Sequence, residues 1–194
     1  MATPDVVALA GRFADAARRA VAAGFDAVEI HAAHGFLLSC FLSPLTNRRD
    51  DAYGGDADRR ALLHVEIVRA VGAAVGGRVA LLVRLGVDDL APGGIGVEEG
   101  AAVAAKLVAA GADAIDVSGG LCGSRPAELS GQGFFVPQAE AVRRVAGVPV
   151  IGVGGVTDAE AARRFVADGR VDAIAVGRRL AAHPEWAREA LGRA

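Results

Sequence analysis

The stretch Asp5–His31, DVVALAGRFADAARRAVAAGFDAVEIH, holds one complete unit of the fold. Val6, Leu9, Ala10, Phe13, Ala17, Ala20 and Val21 recur at helical spacing, so residues 5–23 are predicted to form a helix with an apolar face. Asp5 after Pro4 suits its start, and Gly24 its stop. Asp26–His31 then reads as a short strand. A helix running straight into a strand is the building block of parallel α/β proteins.

The unit repeats along the chain. A helix near 57–75 precedes the strand Val79–Arg84. A helix near 97–110, stopped by Gly111, precedes Ala114–Ser118, and one near 137–146 precedes Val148–Val153. A helix near 158–168, stopped by Gly169, precedes Ala173–Gly177, and a last helix begins near Pro184. The strands are short and largely apolar, as strands covered on both faces are. The prediction is an α/β fold: a partial (β/α)8 TIM barrel of about five parallel strands with flanking helices, against the eight of a closed barrel. No linker divides residues 1–194, so one domain is expected. Segments 32–56 and 119–136 read as long loops after strands, where barrels place their sites.

Composition excludes several classes. Hydrophobic residues make up 53% and charged residues 23% of the 194, which is not a disordered composition. A net charge of −2 carries no footprint for nucleic acid. No apolar run is long enough for a bilayer, and the N-terminus lacks the pattern of a signal peptide. Cys40 and Cys122 are far apart in sequence and form no close metal-type pair. A reduced, cytoplasmic protein is the expectation.

The strand ends carry the chemistry. They read His31 with His34 following, Arg84, Ser118-Gly119-Gly120, Gly152-Val153-Gly154-Gly155, and Gly177-Arg178. In a barrel these edges converge on one ligand. Gly154 and Gly155 let the backbone approach an anion, and Gly177-Arg178 adds N–H groups and a guanidinium, so the last two ends suit a phosphate. The bland alternative is that these glycines only make tight turns. His31 and His34 could donate hydrogen bonds to a carbonyl, shuttle protons, bind a metal, or simply be one packed and one solvated imidazole. A metal would need a third ligand, and none is evident. Arg84 could stabilise a developing anion or pair with Asp88 or Asp116. Cys122 has no visible base and Cys40 sits among apolar residues, so neither reads as a nucleophile.

The run Ala23–Leu38 resembles the signature of the old yellow enzyme family, the FMN-dependent ene-reductases. The resemblance continues through Phe41–Pro44, Asn47–Asp50, Tyr53–Gly55, Val83-Arg84, Val117–Gly120, Val153–Val156 and Val176–Arg178. It implies that His31 and His34 hold the carbonyl oxygen of an α,β-unsaturated, enone-type substrate for hydride from the flavin. It implies that Arg84 supports the reduced flavin ring, and that Gly154, Gly155, Gly177 and Arg178 hold the FMN phosphate. NADH or NADPH would be the reductant. The family places the histidine signature on about the fourth barrel strand, so the five strands correspond to strands four to eight.

Three departures accompany the resemblance. Phe36 stands where the family normally has the tyrosine that protonates the substrate, and phenylalanine has no proton to give. Arg59 stands where the family usually has asparagine. The first three strands have no counterpart in these 194 residues. An open five-stranded piece leaves strand edges unpaired, so a protein partner, either a separate N-terminal half or a second copy, is expected to cover them. A non-catalytic half-barrel is the competing expectation. A generic phosphate-binding barrel fits the glycines but leaves the histidine pair unexplained.

Overall fold

The computed structural model describes residues 1–192. Five strands form one parallel sheet in the order β1-β2-β3-β4-β5: Ala27–Ala32, Ala80–Gly86, Ala114–Ser118, Val150–Gly152 and Ala173–Ile174. Helix α1 (Thr3–Ala22) precedes β1; α2 (Leu37–Leu42) and α3 (Ala57–Val75) follow it. Helix α4 (Val97–Ala109) follows β2, α5 (Val136–Ala146) follows β3, and α6 (Ala159–Ala167) follows β4. Two short helices close the chain, α7 (Arg178–Ala182) and α8 (Trp186–Ala190). This is the expected partial barrel.

The sheet buries one face and leaves the other open. Ile30 and Ala32 of β1, Leu81, Val83 and Leu85 of β2, and Ile115 and Val117 of β3 join the helices in one apolar core. Their neighbours Ala27, Glu29 and His31 on β1 are exposed. Residues paired across parallel strands point to the same face, so His31, Arg84, Asp116, Ile151 and Ala173 form one row across the opposite, concave face. β1 and β5 are the two sheet edges, each paired on one side only.

One segment predicted as irregular is partly helical. Within 32–56, Leu37–Leu42 forms α2, burying Leu38, Ser39, Phe41 and Leu42. Its sequence, LLSCFL, is too short and too uniformly apolar to show a helical period. Distant side chains hold it: Arg60 Nε donates to Leu42 O at 2.7 Å, Asn47 Nδ2 to Phe41 O at 2.6 Å, and His64 Nε2 lies 3.0 Å from Leu38 O. A short helix that the sequence reading did not assign, α7, begins at Arg178 after the turn that follows β5. The last helix, expected near Pro184, begins at Trp186. The fourth and fifth strands are shorter than predicted, because only three and two residues keep ladder pairing before the chain turns into the cleft described below.

No helix among the described residues is long and apolar enough to cross a membrane. Cys40 and Cys122 are both free thiols.

Candidate flavin and substrate site

The C-terminal ends of the strands open into a cleft of about 960 Å³. His34, Arg84, Gly154, Gly155, Gly177 and Arg178 all line it. His31 stands beside it, with its ring centroid 5.0 Å from that of His34. All seven residues singled out in the sequence therefore gather at one end of the sheet.

The histidines sit differently. His31 is on β1 in the concave row, next to Arg84. His34 lies past the strand end, with its backbone in the left-handed region at φ 62°. Its N–H donates to Gly119 O at 2.9 Å, and its Nε2 lies 2.7 Å from Ser118 Oγ. Desolvation, then the Arg84 charge and then His31, push the His34 pKa down to about 4; desolvation and Arg84 lower His31 as well. Both rings are neutral at pH 7, in the form that can donate one hydrogen bond and accept another. Among the described residues no cluster of three or more His, Cys, Asp or Glu could hold a metal ion.

Arg84 faces Asp116 across the β2–β3 ladder, Nε to Oδ2 at 3.5 Å. The competing partner suggested by sequence, Asp88, instead caps its own turn by accepting from Leu90 N at 2.9 Å. Burial pushes the Asp116 carboxyl up to about 7; Arg84 opposes this, and Glu29 adds to it. Glu29 is also raised by desolvation, against the pull of Arg84.

The glycine-rich end of the cleft is built by backbone contact. Phe134 N donates to Gly154 O at 3.1 Å and Phe135 N to Val153 O at 3.2 Å, which folds the loop after β3 over the end of β4. Gly154 has φ 116°, and a Cβ there would lie 2.8 Å from Phe134 N, so only glycine fits. A Cβ on Gly177 would meet nothing within 4 Å, so that backbone is open to the cleft.

The donor set can be tested against an anionic cofactor. Among the described residues, Arg84, Arg125, Arg178 and Arg179 line the cleft and no carboxylate does. The buried Nε atoms of Arg84 and Arg179 have no hydrogen-bond partner among the described residues. A site with four guanidiniums, two of them holding unspent buried donors, fits a phosphate-bearing ligand.

Some residues escaped the sequence reading. Arg179 is a second consecutive arginine after a strand end, a signal that was present. Gln132 clamps the turn after Gly155 by accepting from Thr157 N at 2.8 Å and donating to Thr157 Oγ1 at 2.9 Å. Asp89 is buried and binds three loops at once: it accepts from Ser43 Oγ at 2.6 Å, Ile95 N at 3.0 Å and Leu121 N at 2.7 Å. Nothing in sequence separates Asp89 from its neighbour Asp88. Cys122 is pushed up to about 11 by burial and by Asp88 and Asp89, so it stays protonated at neutral pH.

A parallel β/α chain of barrel type, with a glycine- and arginine-lined cleft at its strand ends, has the architecture in which barrel proteins frequently place a phosphate site. Comparison makes this specific: the family model for the NADH:flavin oxidoreductase / NADH oxidase family matches residues 1–192, and the chain belongs to that family. The cofactors of this family are FMN and NADH or NADPH. The chain is 43% identical over 183 residues to an NADH oxidase of Thermoanaerobacter brockii, covering 92% of this chain and 28% of that protein. It is 40% identical over 187 residues to an NADPH dehydrogenase of Geobacillus thermodenitrificans, covering 96% of this chain and 54% of that protein. A solved 2-naphthoyl-CoA reductase in complex with 2-naphthoyl-CoA superposes with TM-score 0.91 at 28% identity, over 100% of this chain and 30% of that one. The chain thus spans about half the length of the NADPH dehydrogenase and less than a third of the other two.

Proposed function

We propose that this chain forms the substrate-holding and phosphate-holding part of an FMN-dependent oxidoreductase of old yellow enzyme type, one that reduces the C=C bond of α,β-unsaturated carbonyl compounds with NADH or NADPH. The observation that carries this reading is the cleft, where the two histidines, Arg84 and the glycine–arginine end meet and no carboxylate intrudes. Gly154, Gly155, Gly177, Arg178 and Arg179 would hold the FMN phosphate. Arg84, which lines the cleft, would lie toward the ring. When bound, FMN supplies the hydride.

The chain's own residues supply position and polarity. Two neutral imidazoles 5.0 Å apart can both donate to one carbonyl oxygen, which draws electron density from the conjugated alkene. Phe36 is largely exposed, 5.2 Å from the His31 ring, and has no proton to give. The proton for the substrate carbon therefore comes from solvent. The two free thiols agree with a reduced, cytoplasmic setting.

The concave face and the β1 edge support a further element of the proposal: a complementary set of strands, from a separate half or a second copy, covers them. A groove of about 290 Å³ beside β1 is lined by Phe13, Phe25, Val28, Ile30 and Val71, and Phe25 is 63% exposed. Analytical ultracentrifugation is expected to find an assembly larger than one chain, and a stable monodisperse monomer contradicts this. A second reading, a non-catalytic half-barrel, is favoured by Phe36 and the open edge. Following NADPH oxidation with FMN and 2-cyclohexenone decides between the two. Enone-dependent oxidation that disappears in His31→Ala and His34→Ala supports the enzyme; its absence in the assembled protein supports the half-barrel.

A further inference from the structure

His34 is tied to the end of β3 by both backbone and ring. The backbone bond to Gly119 O fixes a left-handed residue that a non-glycine side chain rarely adopts. That geometry brings Nε2 to 2.7 Å from Ser118 Oγ. Ser118 is fully buried, and its hydroxyl has no other hydrogen-bond partner among the described residues. A buried hydroxyl hydrogen left without an acceptor costs about 1–3 kcal/mol. Imidazole Nε2 is the acceptor within reach, so the hydroxyl donates and Nε2 presents its lone pair. In a neutral ring the proton is then on Nδ1. Nδ1 makes no hydrogen bond within the described residues and is not buried.

We propose that Ser118 is a positioning residue that fixes His34 in the Nδ1–H tautomer, so that Nδ1–H is the donor His34 offers to a substrate carbonyl. It rests on the reading of His34 as a substrate-holding residue. Ser118 touches no substrate in this scheme; it decides which ring nitrogen does. The opposite tautomer would place a lone pair on Nδ1, which repels a carbonyl oxygen.

His64 provides a built-in contrast. It is fully buried, and its Nε2 faces the carbonyl of Leu38 at 3.0 Å, so its proton must be on Nε2. The same protein therefore holds two neutral histidines in opposite tautomers. Two-bond ¹H–¹⁵N correlation spectra of ¹⁵N-histidine-labelled protein at pH 7.5 read both tautomers without flavin or substrate. Protonated Nδ1 for His34 and protonated Nε2 for His64 are expected. Ser118→Ala should shift His34 toward the Nε2–H form, and Ser118→Thr should restore the wild-type pattern. An unchanged His64 signal certifies that each variant is folded. Protonated Nε2 on His34 in the wild type, or a His34 signal unmoved by Ser118→Ala in folded protein, overturns the proposal. If the tautomer stands but His34→Ala binds 2-cyclohexenone as well as the wild type does, the substrate-holding reading of His34 fails instead.

Discussion

Arg84 Nε and Asp116 Oδ2 stand 3.5 Å apart on adjacent strands, yet Arg84 Nε and Asp116 Oδ1 are both buried without a hydrogen-bond partner among the described residues. The pair is close enough to interact and too loosely aligned to satisfy either group. Arg84 nonetheless lines the cleft, while the buried carboxyl resists ionisation.

This arrangement predicts a pH dependence. The Asp116 pKa is about 7 in the folded protein and 3.8 in its ordinary state. The folded state then binds more protons between those values, so the contribution of Asp116 is fully present below about 3.8 and is lost as pH rises through about 7. Asp116→Asn removes that loss. Its melting temperature relative to the wild type is expected to climb from pH 4 to pH 7.5 and then level off. A difference independent of pH contradicts the raised pKa.

His64 has the opposite sign. Burial lowers its pKa to about 4, against the backbone carbonyls that pull it up. The stability it contributes is present above about 6.5 and is lost as pH falls through about 4. His64→Gln keeps a donor for Leu38 O but cannot take up a proton. Its acid unfolding midpoint, followed by circular dichroism, should move to lower pH relative to its own stability at pH 7. An acid limb as steep as the wild type's counts against this.

Asp89 joins the loops after β1, β2 and β3. Gly94 and Gly120 crowd it so closely that a Cβ on either would lie under 3 Å from the carboxylate. Asp89→Asn turns one acceptor into a donor facing a donor. The expected loss is about 1–3 kcal/mol in urea unfolding, as for a buried polar group left unsatisfied. Less than a few tenths would show that the loops are held by something else.

Phe36→Tyr puts a phenol back beside His31, on a helix-capping residue that is 62% exposed and so tolerates the extra oxygen. A positioned general acid contributes about 10²–10⁴-fold to a rate. Stopped-flow reoxidation of the reduced, FMN-loaded protein by 2-cyclohexenone should quicken by a sizeable part of that factor, with FMN affinity unchanged. A rate equal to or below the wild type's shows that proton delivery is not limiting.

Much of this was legible beforehand because the repeating unit writes itself in local pattern. Val6 to Val21 shows its helical period, and the apolar strands end in polar or glycine residues that the sheet then brings together. What escaped was set by distant partners. Leu37–Leu42 is helical because Asn47, Arg60 and His64 reach its carbonyls, and none of these contacts has a local signature. Asp89 and Asp88 look alike in sequence, but one is buried under three donors and the other caps its own turn. Ser118 reads only as a strand end; its pairing with His34 spans 84 positions. Gly154 was expected to let the backbone approach an anion; the close neighbour that the structure shows there is Phe134, whose approach has no local signature.

FMN binding tests the central claim most directly. Titration of the purified, assembled protein with FMN, followed by quenching of flavin fluorescence, is predicted to saturate at one FMN per site. Arg178→Ala and Gly154→Ala should each weaken binding at least tenfold, about 1.4 kcal/mol or more. No saturable quenching, or binding by both variants as tight as that of the wild type, would contradict the assignment of this cleft to a flavin.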